Sequence, residues 1–133
     1  MANIINAAFT GESAIPRRVV ATLRAQVSWV DKSSGERISL FGTTENVGET
    51  SALINIEVLP TVGADVELSL YDEEKAIIET LTTVIRVVRD PGKRQVALSV
   101  VDNLKSWQGT VLDVAQEWVN RNLRLNYEGE WAN

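Results

Sequence analysis

Val19, Ala21, Leu23, Ala25, Val27 and Trp29 alternate with Val20, Thr22, Arg24, Gln26, Ser28 and Val30. One face is apolar throughout and the other is mostly polar. That period of two marks a half-buried strand, because a helix would scatter the six apolar residues around its axis. The next six residues, from Asp31 to Glu36, are rich in turn formers. Residues 37–44 then read as the returning strand of a hairpin, with Ile38 and Leu40 on one face. A third strand is expected over residues 52–58, where Ala52, Ile54, Ile56 and Val58 share a face. Pro60 cannot sit inside a central strand, so the segment that ends at Gly63 is a turn. Val66, Leu68 and Leu70 mark a fourth strand, and residues 76–89, rich in Ile, Thr and Val, a long fifth. Asp90-Pro91-Gly92 turns the chain, and Val96, Leu98 and Val100 mark a sixth strand.

After Asp102 the period changes. Trp107, Val111, Val114 and Trp118 recur at three- and four-residue spacing, and Ala115, Val119 and Leu123 widen the stripe into an amphipathic helix. Gly109 is expected to break the pattern early. Thr110 with Asp113 resembles an N-cap, so the main helix is predicted over residues 110–124, with residues 127–133 frayed. The predicted fold class is all-β dominated: a six-stranded antiparallel split β-barrel with a C-terminal amphipathic α-helix. The expected organisation is an arm over residues 1–15, a barrel over 16–102 and a helix with tail over 103–133. Strand count alone also fits an OB-like or SH3-like barrel. The helical stripe can pack on its own barrel or across a homodimer.

The chain's 133 residues suffice for one sizeable core. Eighteen acids against thirteen bases give a net charge of −5, which argues against a nucleic-acid polymer or an anionic membrane as partner. Cysteine and histidine are absent. Thiol nucleophiles, zinc thiolates, Ser-His-Asp triads and imidazole ligands are therefore excluded. A carboxylate or Lys105 remains as enzymatic material, but no spacing demands chemistry, so neither catalytic nor metal-binding residues are expected. No apolar run approaches the ~20 residues that span a bilayer. Residues 1–15 lack a basic region followed by an apolar one, so no leader, no membrane insertion and a cytoplasmic location are expected.

The segment with chemical content is Pro16-Arg17-Arg18 ahead of the first strand, together with residues 44–53 (TENVGETSAL), followed by Leu59-Pro60 and the GADVELSL run from Gly63. This order resembles a PilZ domain, the bacterial receptor module for cyclic di-GMP. Its pattern is an RxxxR element entering the first strand, (D/N)xSxxG between the second and third, and then an LPxGxxVxLxL-like run. Arg18 matches the second Arg, while Ala14 falls at the first, leaving Arg17 as the neighbouring substitute. Asn46 matches the D/N, Gly48 stands at the Ser position and Ser51 at the final Gly position.

The resemblance implies a ligand set of Arg17, Arg18, Asn46, Gly48 and Ser51 for a dianion carrying two guanines. Guanidinium suits phosphate and guanine edges, Asn a guanine edge, and Gly a close backbone approach. Losing the first Arg and the Ser removes contacts worth about 1.5–3 kcal/mol each when charged. Two such losses weaken binding roughly 100-fold or more. Glu45, beside the motif, and Glu49, beside Gly48 within it, should repel a dianion. The expected function is a PilZ-like signalling or adaptor domain with an eroded cyclic di-GMP site, acting through an unidentified protein partner and needing no cofactor. The alternative is a working cyclic di-GMP receptor that uses Arg17, Arg18 and Asn46.

Overall fold

The computed structural model describes residues 17–132, with side chains through Leu123. The expected arm over residues 1–15 lies outside the described residues. Among the described residues seven strands follow one another: β1 (Arg18–Val19), β2 (Arg24–Val30), β3 (Arg37–Gly48), β4 (Ser51–Asn55), β5 (Asp65–Asp72), β6 (Lys75–Val88) and β7 (Gln95–Val100). All neighbours pair antiparallel. The ring runs β3-β2-β5-β6-β7-β4 and closes through β3 and β4, and the short β1 adds to the end of β3. The predicted six-stranded barrel is present, with one extra strand.

The alternating apolar positions face inward. Ala25, Val27 and Trp29 of β2 meet Val66, Leu68 and Leu70 of β5, and Ile54, Val84, Val96 and Leu98 complete the same core. Burying a Val, Leu or Ile side chain contributes about 1.5–3 kcal/mol, so this register resists a one-residue slip that would expose a whole face.

The third predicted strand stops at Asn55 and does not reach residue 58, which leaves Val58 exposed, and three further elements differ from the sequence expectation. The first strand is interrupted over residues 20–23. There Thr44 Oγ1, buried in the core, accepts from Leu23 N at 2.8 Å and donates to the Ala21 carbonyl at 2.6 Å. One hydroxyl stands in for missing ladder bonds, while Val20 turns out to solvent. Ala21 and Leu23 stay buried, so the alternation carried no sign of the break.

Second, the motif segment is strand rather than loop. β3 continues through a register shift between Thr44 and Asn46 to Gly48, and only Glu49-Thr50 turns the chain. Third, helix begins at Leu104 rather than Thr110. It comprises α1 (Leu104–Ser106), a π-helical turn over Trp107–Val111 and α2 (Leu112–Ala132). Gly109 sits inside the π turn and Thr110 caps nothing. The wider turn lets Trp107, Val111 and Leu112 all reach the core, which outweighs the local cost of glycine.

The helix is fixed to the barrel at several points. Asp102 Oδ1 accepts from Thr80 Oγ1 at 2.6 Å and from Leu81 N at 2.8 Å, and these bonds hold its carboxyl below the ordinary carboxylate range. Asn103, in a left-handed conformation (φ 54°) that asparagine tolerates, then turns the chain into α1. Further along, Arg121 Nη2 pairs with Asp72 Oδ1 at 3.0 Å, pinning α2 to the end of β5. Among the described residues no helix is long and apolar enough to cross a membrane.

Candidate functional site

β1, β3 and β4 lie side by side at one rim of the barrel. Arg18 is directly opposite Gly48, and Gly48 and Ser51 flank the Glu49-Thr50 turn. The exposed Arg18 side chain therefore crosses β3 at a position that has no side chain. Its Nε donates to Asn46 Oδ1 at 2.6 Å and its Nη2 to Ser51 Oγ at 3.1 Å. Gly48 makes that path available: a Cβ there would fall against Arg18 Nη1 and stand 3.1 Å from Cζ.

Four of the five sequence candidates, Arg18, Asn46, Gly48 and Ser51, thus meet at one place. The fifth points elsewhere. Arg17 Nη2 donates to Gln116 Oε1 on α2 at 3.3 Å, and Gln116 in turn donates to Asn120. The two neighbouring guanidiniums do not form a joint clamp: one lies across β3 and the other is tied to the helix.

The rim has a buried support that the sequence pattern places only in the apolar stripe of the helix. Trp107 is fully buried, and its Nε1 donates to the Gly48 carbonyl at 2.8 Å. A buried indole N–H requires a partner, so the signal was present in Trp107 itself. The identity of the partner came only from the fold. Gln116 was likewise missed, because a glutamine on a helix carries no sequence mark.

The expected repulsion from Glu45 is moderated. Glu45 Oε1 lies 3.1 Å from Lys93 Nζ and accepts from Asn55 Nδ2 at 3.3 Å, and its carboxyl sits below the usual range chiefly through the Lys93 bond. Glu49 occupies the tight turn beside Ser51.

A closed antiparallel barrel with a helix packed against it is the fold to be compared with solved structures. No protein-family profile matches the chain. No curated protein matches it by sequence. Solved structures do. The PilZ domain of Escherichia coli YcgR with c-di-GMP superposes with a TM-score of 0.57 at 10% identity, covering 85% of this chain and 95% of that one. The PilZ domain of CeSA from a cellulose-synthesizing bacterium gives 0.51 at 17% identity, over 80% of this chain and 98% of that one. The Bacillus subtilis inhibitor of motility (MotI/DgrA) gives 0.55 at 19% identity, over 82% of this chain. The matched region is about half of that inhibitor, 50% of its chain. The chain has a PilZ-like fold.

Proposed function

We propose that this chain is a PilZ-like signalling domain of the adaptor kind, with an eroded cyclic di-GMP site and an output made through protein contacts in the cytoplasm. The observation that carries the reading is the state of Arg18. Nε and Nη2 form one fork of the guanidinium, the geometry that takes a phosphate in a bidentate manner. Here that fork is turned onto Asn46 and Ser51. Gly48 brings no hydroxyl, and the Arg17 side chain is engaged by Gln116. Similar folds carry the output names expected of such a role: one is an inhibitor of motility and another a c-di-GMP-dependent transcription regulatory factor. On the barrel wall, Arg24 stacks 4.4 Å from the centre of the exposed Phe41 ring. Arginine and aromatic residues are enriched where proteins bind one another.

Calorimetric titration with cyclic di-GMP tests the reading. Heats without low-micromolar saturation are expected, and specific low-micromolar binding would overturn it. One observation favours the second reading, a working receptor: Arg18, Asn46 and Ser51 converge on a single accessible rim. That reading expects cyclic di-GMP to raise the melting temperature of the wild type, since a ligand bound only to the native state stabilises it. The shift would vanish in Arg18→Ala. No shift in either protein excludes it.

A further inference from the structure

We propose that Gly48 is the residue that holds the rim in a self-occupied state: by leaving the surface of β3 bare, it lets Arg18 satisfy itself on Asn46 and Ser51 instead of on a ligand. The inference rests on the eroded-site reading and says what limits affinity there. Relative to the (D/N)xSxxG pattern, Ser and Gly have changed places between positions 48 and 51. These positions flank the Glu49-Thr50 turn, so the exchange moves the hydroxyl from β3 to β4 and leaves the bare position on β3. Both halves of the exchange act on Arg18. The bare position is where its guanidinium rests, and the moved hydroxyl accepts from its Nη2.

A side chain at position 48 is compatible with the backbone. The left-handed glycines among the described residues are Gly35 and Gly63, and Gly48 is not one of them. An added Cβ meets chiefly Arg18 Nη1 and Cζ, the far end of a flexible side chain, while the Arg17 carbonyl is at an ordinary 3.5 Å. The cheapest relief is for Arg18 to swing off β3 into solvent. Its Nε–Nη2 fork then becomes free for an anion. Alanine suffices for this and adds no hydroxyl that could bind the ligand itself, so the effect of release is separable from the effect of restoring a motif.

The test is calorimetric titration of cyclic di-GMP into four proteins: wild type, Gly48→Ala, Ser51→Gly and Gly48→Ala/Arg18→Ala. Melting curves check that each is folded. Gly48→Ala should bind at least about tenfold more tightly than wild type, the value of one charge-assisted bond, and the double variant should lose the gain. Ser51→Gly removes one of the two internal acceptors and should tighten binding in the same direction, which keeps the test available if Gly48→Ala does not fold. Weak wild-type binding with unchanged or weaker binding in the folded single variants overturns the role of Gly48 and leaves the eroded-site reading standing. A gain that survives Arg18→Ala overturns it too. Tight binding by the wild type overturns both.

Discussion

Gly42 and Gly48 lie six residues apart in the same strand, and both occupy places where a side chain would collide. At Gly42 the obstacle is the Asn55 carbonyl and Ile56 Cγ2 of the neighbouring chain segment, where β3 closes the barrel against β4. At Gly48 the obstacle is the tip of Arg18. Backbone in a closed ring cannot yield, whereas a guanidinium at a rim can. The same residue type therefore serves architecture at one position and the state of a binding rim at the other. Glycine in a strand marks close approach, but only the identity of what approaches tells the two uses apart.

The comparison can be broken from its strongest side first. Trp107 anchors the helix beneath the rim, and Trp107→Ala should cost about 3–5 kcal/mol in urea unfolding by leaving a cavity. A much smaller loss would mean that the rim does not depend on the helix. Gly42→Ala should cost about 1–3 kcal/mol or more through overpacking against backbone. Gly48→Ala should cost less, about 1 kcal/mol, because it forfeits the bonds of an exposed side chain that can move aside and does not press on backbone. Equal losses at the two glycines would erase the distinction drawn here. Trp107→Phe keeps the ring but orphans the Gly48 carbonyl, and should cost about 1–3 kcal/mol.

Acid titration sharpens the contrast between fixed and movable contacts. Asp102 has its carboxyl lowered by Thr80 and Leu81, and Glu45 by Lys93 and Asn55. A group with a folded value below its unfolded one favours the native state above the unfolded value, about 4 for a carboxylate. That contribution fades as pH falls through the folded value. Stability should therefore drop on acidification below about pH 4, and Asp102→Asn should flatten that limb in pH-dependent melting curves. An unchanged limb would show that Asp102 is not a fixed anchor. Smallest of all, Arg17→Ala removes one exposed bond to Gln116 and should shift stability by about 0.5 kcal/mol or less.

Much of the barrel was legible because a strand with one buried face must alternate, and Ala25, Val27, Trp29, Val66, Leu68 and Leu70 do. The break at residues 20–23 was not, since Thr44 repairs it with a hydroxyl from the neighbouring strand β3 and leaves the apolar pattern intact. Helix onset was misplaced for a related reason. Gly109 and Thr110 carry local signals for a start, but the burial of Trp107 and Val111 overrides them through a π turn. At the rim, motif order alone placed Arg18, Asn46, Gly48 and Ser51 together. The separation of Arg17 from them depends on Gln116, a partner 99 positions away in sequence. The direction taken by the Arg18 side chain depends on strand register, which no spacing in the sequence encodes.

Arg18 lies bonded across β3 to Asn46 and Ser51. Its side-chain Nε–H signal in a nitrogen-edited NMR spectrum reads this directly. A resolved, slowly exchanging signal is expected in the wild type, and it should join the bulk arginine envelope in Asn46→Ala. A wild-type Arg18 signal already exchanging like free arginine would contradict this bonding.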